Sequence, residues 1–237
     1  PDSVVDGKNV YEARKAIGAE MARETPVDAD LVIPVPDSGV PAAIGYAAEA
    51  GIPFELGLIR NHYVGRTFIE PTDEIRHLGV RLKHNANRGQ LDGKRVILVD
   101  DSIVRGNNSK RARDLLYEEA GVEKAYLVSY TPPIGIIGDD GVPRGCTFGV
   151  DMPPDPPPGD EFIARNRTVT EVGQAMKMPV VYLSMEGMLK AFERAGLPER
   201  DLCTFCIGGR MPYEGAESLI QIGEKPQMDL LAGLKAG

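Results

Sequence analysis

Two adjacent carboxylates followed by a short polar loop are the most chemically informative feature of the chain. Asp100 and Asp101 come directly after four apolar residues, 96–99, which predict a buried parallel strand. A polar loop follows at 102–109, and a helix is predicted over 109–119. Free N–H groups at the start of a helix bind phosphate. Because carboxylates repel phosphate, we expect them to hold ribose hydroxyls, or a hydrated Mg²⁺ between themselves and a diphosphate. A solvated strand end is the alternative for an acid pair taken alone.

A second turn between a strand and a helix could bind phosphate in the same way. Residues 31–35 predict a short buried strand, and residues 36–41 form a turn that contains Asp37 and Ser38. Pro41 suits the first turn of a helix that extends to about Ala50. Such a turn is common in proteins of any function. Beside the acid pair, however, its N–H groups are predicted to hold a diphosphate.

Residues 60–88 form a polar and basic segment in an otherwise acidic protein. The segment is unusually long for a structureless connection, and it combines Tyr63, a glycine pivot at Gly65, and Arg66. A solvated surface loop is one interpretation. The other, which we favour, is a mobile cationic flap that neutralises a leaving group and excludes water.

The overall composition limits the function classes. The 237 residues carry a formal net charge of −8, which argues against a nucleic-acid surface. The sequence has no apolar run of the ~20 residues that span a bilayer, and no secretory signal, so we expect no membrane partner and a cytoplasmic location. Further strands are predicted at 54–58, 124–130 and 180–183, and further helices at 10–24, 169–176 and 185–194. Alternating strands and helices indicate an α/β fold with a parallel sheet.

Most of residues 1–215 resemble the phosphoribosyltransferase portion of the glutamine phosphoribosylpyrophosphate (PRPP) amidotransferases. The segments that carry the resemblance are Pro1-Asp2-Ser3, Tyr11-Glu12-Ala13-Arg14, Tyr63-Val64-Gly65-Arg66-Thr67-Phe68-Ile69, Val99-Asp100-Asp101-Ser102-Ile103-Val104-Arg105-Gly106, Gly149-Val150-Asp151-Met152-Pro153 and Tyr182-Leu183-Ser184-Met185-Glu186-Gly187. The resemblance implies a type I phosphoribosyltransferase fold: a parallel twisted sheet flanked by helices, with a flexible lid. It places that domain at 1–195 and a C-terminal helical or loop segment with a mobile tail at 196–237.

The resemblance also implies roles for particular residues. It assigns the diphosphate to Asp37, Ser38, Gly39 and Val40, and ribose hydroxyls to Asp100 and Asp101. It assigns the 5-phosphate to Ser102, Ile103, Val104, Arg105, Gly106, Asn107, Asn108 and Ser109. Mg²⁺ would be bound through Ser38, Asp100 and Asp101, and the catalytic residues of the flap and its border would be Tyr63, Arg66 and Lys83.

The activity that the resemblance implies is formation of 5-phosphoribosylamine and diphosphate from PRPP and ammonia, the first step of de novo purine synthesis. An N-terminal glutaminase domain that supplies the ammonia, feedback inhibition by purine nucleotides and a homo-oligomer are implied as well. Two alternatives are a nucleobase phosphoribosyltransferase and a non-catalytic regulator that senses PRPP or purine nucleotides. Without the glutaminase domain, the chain is expected to use free ammonia rather than glutamine.

Three cysteines, Cys146, Cys203 and Cys206, complete the set of candidate residues. A C-x-x-C pair with one distant cysteine is compatible with chance, a redox pair, zinc or an iron–sulfur cluster. A [4Fe–4S] cluster needs four thiolates. One branch of the family that the chain resembles holds such a cluster, and its first ligand lies just upstream of the segment that matches Pro1. The resemblance therefore implies that the three cysteines supply the other ligands of a structural cluster.

Overall fold

A parallel sheet of four strands forms the centre of the fold. The computed structural model describes residues 3–61, 84–146, 148 and 152–211. Its strands are β1 (Val4–Val5), β2 (Lys8–Asn9), β3 (Leu31–Pro34), β4 (Leu58–Arg60), β5 (His84–Ala86), β6 (Arg95–Asp100), β7 (Lys124–Ser129) and β8 (Val180–Tyr182). The order in the central sheet is β3-β6-β7-β8 with every pair parallel, whereas β1-β2 and β4-β5 are separate antiparallel hairpins. The predicted parallel α/β sheet is confirmed.

Helices cover both faces of this sheet. They are α1 (Val10–Glu24), α2 (Val40–Ala50), α3 (Arg88–Leu91), α4 (Asn107–Asp114), α5 (Val169–Met176) and α6 (Met185–Arg194), with a π-helical turn at Leu115–Glu119 and 3₁₀ turns at Glu199–Asp201 and Phe205–Ile207. One apolar core lies between the sheet and α4, the π turn and α5, and the other between the sheet and α1, α2 and α6. Burial on both faces explains why the residues of β6 are almost continuously apolar.

Two glycines allow α1 and α2 to cross at close range. A β-carbon at Gly18 would lie 1.9 Å from the carbonyl oxygen of Ala42, and one at Gly45 would lie 2.0 Å from that of Lys15. The backbones are therefore in direct contact, which fixes α2 and the turn before it relative to the sheet.

Two of the predicted elements differ from the structure by more than one residue at an end. The strand expected at 54–58 lies instead at β4, where it pairs with β5, and only Phe54 forms a single parallel bridge, to Val32. The helix expected at 109–119 begins at Asn107 and changes to the π-helical turn after Asp114. Asn107, Asn108 and Ser109, predicted as loop residues, are therefore the first turn of α4.

Among the described residues, no helix has the length and apolar character needed to cross a membrane.

Candidate functional site

The acid pair lies at the carboxyl end of β6, in the middle of the sheet. Asp100 is 5% exposed, and its carboxylate accepts a hydrogen bond of 2.8 Å from the backbone N–H of Asp101. The Asp101 carboxylate accepts a bond of 3.1 Å from the Ser102 hydroxyl. The carboxyl ends of parallel strands are where open α/β sheets bind ligands. The pair is thus positioned by the sheet and not by a free loop.

Burial, followed by the neighbouring charge of Asp101, raises the pKa of Asp100 to about 7, while an interaction with Ser38 partly opposes this rise. The two carboxyl groups therefore do not both ionise readily in the ligand-free protein. A bound cation, or the hydroxyls of a sugar, would stabilise the doubly ionised pair.

The loop after the acid pair turns directly into α4. Gly106 precedes the helix with φ +80°, a conformation that favours glycine, and Asn107 and Asn108 are exposed at the helix start. The first N–H groups of a helix have no intrahelical acceptors and carry partial positive charge. This end of α4 opens on the same side of the sheet as the acid pair, and it is suited to a phosphate monoester.

The second loop, between β3 and α2, is held against the end of β6. The N–H of Val35 donates to the carbonyl oxygen of Val99 over 2.8 Å, and the N–H of Gly39 donates to that of Val35 over 2.9 Å. The peptide bond between Pro36 and Asp37 is cis. Ser38 and Asp100 line the same cavity, so the loop and the acid pair border one site.

A cavity of about 720 Å³ lies between the two loops. Its lining includes Val35, Pro36, Ser38, Leu58, Arg60, His84, Asp100, Asp101, Ser102, Ile103, Val104, Arg105, Gly106, Asn107, Asn108, Ser109, Arg111, Ala112 and Leu115. The structure thus brings the whole predicted segment from Asp100 to Ser109 to one cavity together with Ser38. Asp37, Gly39 and Val40 belong to the same turn but are not part of the lining. Tyr63, Arg66 and Lys83, and most of the predicted flap, lie outside the described residues.

Several residues of the site were not predicted as ligand contacts. Arg60 and His84 face each other in the β4–β5 hairpin, line the cavity, and lie at the two borders of the described chain around the predicted flap. A guanidinium nitrogen of Arg60 is 3.0 Å from a carboxylate oxygen of Asp37, and its buried Nε has no hydrogen-bond partner within the described ranges. Arg60 therefore joins the hairpin to the turn of the predicted diphosphate site.

Two residues just after β7 donate hydrogen bonds to the backbones of both loops. The Tyr130 hydroxyl donates to the carbonyl oxygen of Ser38 over 3.3 Å, and the Thr131 hydroxyl donates to that of Asp101 over 2.8 Å. Burial, followed by the charge of Asp101, raises the pKa of Tyr130 well above its ordinary value, so it remains a neutral donor. Their position just after the next parallel strand is the signal by which the sequence could have identified both residues.

The three cysteines lie near one another. Burial, followed by the charges of Cys146 and Cys203, raises the pKa of the Cys206 thiol to about 11. All three are free thiols, and Cys203 is exposed. Within the described ranges, no three His, Cys, Asp or Glu side chains are grouped closely enough to hold a metal ion. The described residues thus do not form the ligand set of an iron–sulfur cluster.

The fold and the pair of loops around the two carboxylates define a type I phosphoribosyltransferase domain. In the comparisons with known proteins, no family model matches the chain. Curated relatives do: the amidophosphoribosyltransferase of Archaeoglobus fulgidus is 45% identical over 213 residues, which are 90% of this chain and 44% of that protein. The amidophosphoribosyltransferase of Rhizobium etli is 60% identical over 134 residues, 56% of this chain and 27% of that protein.

Solved structures agree with these relatives. Glutamine PRPP amidotransferase from Bacillus subtilis, complexed with ADP and GMP, matches with a TM-score of 0.73 and 42% identity over 91% of this chain and 46% of that one. A structure described as the allosteric regulatory enzyme of purine biosynthesis matches equally well, over 44% of its chain. The chain thus spans under half the length of these relatives. It is similar to the C-terminal phosphoribosyltransferase portion of the amidophosphoribosyltransferases.

Proposed function

We propose that this chain transfers a 5-phosphoribosyl group from PRPP to ammonia, forming 5-phosphoribosylamine and diphosphate, the first step of purine synthesis. One observation carries the proposal: Asp100 and Asp101 lie between two loops, one at a helix N-terminus, in a single cavity. A helix N-terminus, a carboxylate pair and a second loop in this order match a ribose with a phosphate at C5 and a diphosphate at C1. The similarity to amidophosphoribosyltransferases supports ammonia as the acceptor.

In this proposal, the chain's residues act mainly by positioning PRPP. The N–H groups at the start of α4 bind the 5-phosphate, and the carboxylates of Asp100 and Asp101 accept hydrogen bonds from the ribose hydroxyls. Residues of the β3–α2 loop bind the diphosphate, with Arg60 beside them. The nitrogen lone pair then forms the C1–N bond as the C1–O bond breaks, the electron pair leaves with the diphosphate, and the new ammonium group loses one proton to water. Neutral ammonia needs no general base, so orientation and stabilisation of the leaving charge supply the catalysis.

Mg²⁺ fits this site. Ser38, Asp100 and Asp101 would hold it, alone or through water, because magnesium is usually bound by one or two carboxylates together with substrate phosphates. When bound, Mg²⁺ would neutralise charge on the diphosphate. Tyr63 and Arg66 are proposed to close over the substrate in the flap and exclude water from the labile product, and Lys83 is proposed as the cation for the leaving diphosphate.

The remaining family properties are also proposals. Because a purine nucleotide carries a ribose 5-phosphate, it would compete with PRPP at the loop before α4, and the relative from Bacillus subtilis was solved with ADP and GMP. A glutaminase domain would deliver the ammonia in a longer protein. Cys146, Cys203 and Cys206 would supply three thiolates of a [4Fe–4S] cluster, which iron and labile-sulfide analysis of anaerobically purified protein would detect.

An acceptor panel tests the proposed reaction. Diphosphate release from PRPP and Mg²⁺ is measured with ammonium chloride, glutamine, adenine, hypoxanthine or orotate as the acceptor. We expect release with ammonium chloride only. Release with a base instead would identify a nucleobase phosphoribosyltransferase. Tight PRPP binding without release from any acceptor would favour a non-catalytic regulator.

A further inference from the structure

An ion pair connects the loop before α4 to a distant, proline-rich part of the chain. The Arg105 guanidinium contacts the Asp160 carboxylate through two nitrogens, each at 2.5 Å, and its Nε also donates to the Asp160 carbonyl oxygen over 3.2 Å. The Arg105 side chain is 23% exposed and that of Asp160 is 41% exposed. Short two-point contacts between Arg and a carboxylate fix direction as well as distance. Arg105 is thereby directed to Asp160.

The segment that carries Asp160 contacts the same loop at two neighbouring positions. The N–H of Ile163 donates to the Val104 carbonyl oxygen over 2.8 Å. The Ile163 side chain also packs over Gly106, where an added β-carbon would lie 2.8 Å from the isoleucine Cδ1. Three consecutive loop residues, 104–106, are thus held by residues 160–163.

This holding segment is itself firmly anchored. The Arg165 guanidinium donates to the carbonyl oxygens of Gly135, Pro154 and Arg144 over 2.6, 2.6 and 2.7 Å. It also stacks over the ring of Phe162 at 4.7 Å, and Phe162 is 2% exposed. The Asp160 carboxylate therefore contacts the loop from an anchored backbone rather than from a free tail.

We propose that Asp160 is a positioning residue for the phosphate-binding loop, an inference that rests on the proposed function. By engaging the Arg105 guanidinium, Asp160 fixes the loop backbone so that its N–H groups and the start of α4 converge on the 5-phosphate. Asp160 itself does not touch the substrate. The 5-phosphate end of PRPP should therefore depend on Asp160, whereas the diphosphate end, bound by the β3–α2 loop, should not.

Calorimetric titration with two probes tests this separation. Ribose 5-phosphate reports on the loop before α4, and inorganic diphosphate with Mg²⁺ reports on the other loop. For Asp160→Asn we expect roughly tenfold weaker binding of ribose 5-phosphate, the effect of losing one charged hydrogen-bonded contact, and diphosphate binding within about twofold of wild type. Asp160→Glu should restore part of the loss. The double variant Arg105→Gln/Asp160→Asn should bind ribose 5-phosphate as tightly as whichever single variant binds it less tightly. Both substitutions remove the same contact, so their effects should not add.

Asp28→Asn is the matched control. Asp28 also pairs with an arginine, Arg95 at 2.7 Å, but at the opposite end of the sheet from the cavity. The control should bind both probes as wild type does. Unchanged or tighter binding of ribose 5-phosphate by Asp160→Asn would overturn the inference, and so would equal weakening of both probes with a lowered melting temperature. A wild-type chain that binds neither ribose 5-phosphate nor PRPP would overturn the proposed function, and this inference with it.

Discussion

Gly39 lies against the backbone of Val99 so closely that a β-carbon at residue 39 would be 2.2 Å from the Val99 carbonyl oxygen. The same oxygen accepts the Val35 N–H, and Val99 is followed by Asp100. One backbone carbonyl therefore sets the separation between the two loops of the cavity. The distance between the proposed diphosphate loop and the carboxylates depends on the absence of a side chain at Gly39.

Gly39→Ala should consequently separate the two loops. A methyl group cannot be accommodated against a backbone oxygen at that distance, so the turn must move away from β6. We expect a loss of PRPP affinity of about tenfold or more and a destabilisation of roughly 1–3 kcal/mol, as for overpacked sites. Calorimetry with PRPP and Mg²⁺, together with thermal unfolding, measures both. Gly89→Ala is the control, since its nearest neighbour would be 3.9 Å away. Wild-type affinity for the Gly39 variant would contradict this reading of the packing.

Asp100→Asn should make the ligand-free protein more stable, and more so as the pH rises. Because the pKa of Asp100 is raised on folding, the folded state binds the proton more tightly, and wild-type stability falls as the pH rises from about 4 to about 7. The asparagine variant does not ionise, so its advantage should be small at pH 4 and on the order of 4 kcal/mol at pH 8. Denaturant unfolding at both pH values measures it. The same variant should bind Mg²⁺ and PRPP poorly, and a stability difference that does not vary with pH would contradict the account.

Arg60→Gln should weaken PRPP binding without destabilising the fold. The ion pair of Arg60 with Asp37 is partly exposed, and such pairs contribute about 0–1 kcal/mol to stability. Its guanidinium borders the proposed diphosphate site, so we expect the KM for PRPP to rise by roughly three- to tenfold. Lys190→Gln, which removes the exposed contact with Glu186 on α6, should change neither quantity. An unchanged KM for PRPP in the Arg60 variant would show that Arg60 does not contribute to PRPP binding.

Thiol reactivity should distinguish the cysteines in metal-free protein. The thiolate is the nucleophile, so the raised pKa of Cys206, about 11, should make it slow to alkylate at pH 7.5. Cys203 is exposed and should react first. Iodoacetamide labelling followed by peptide mass spectrometry measures the order, and the rate at Cys206 should still be rising above pH 9. Equal rates at the two cysteines would contradict the burial that the structure gives to Cys206.

The position of the acid pair and its loop at the end of a parallel strand could be predicted because these residues are contiguous in the sequence. The apolar strand, the acid pair and the loop are contiguous, and the periodicity of the flanking segments predicted a parallel sheet whose carboxyl ends meet. The start of α4 was predicted two residues late because polar Asn107 and Asn108 are typical of loops. In the structure, left-handed Gly106 ends the loop earlier.

Features that depend on residues distant in sequence were not predicted. β4 pairs with β5 across the predicted flap, so the apolar pattern at 54–58 could not reveal where the strand lies. Leu56, within that pattern, is 51% exposed. The contact between Arg105 and Asp160 joins residues 55 positions apart, and no local pattern indicates it. Tyr130 and Thr131 could have been found, since they follow the next parallel strand.

Ammonia-dependent diphosphate release by wild type and by the double variant Asp100→Asn/Asp101→Asn tests the central claim most directly. Both proteins are assayed with saturating PRPP, Mg²⁺ and ammonium chloride, after thermal unfolding has shown that both are folded. We predict turnover by wild type and a loss of at least about a hundredfold in the variant, because both the ribose contacts and the proposed metal ligands are removed. Equal turnover by the two proteins would contradict the assignment of the acid pair as the centre of the site.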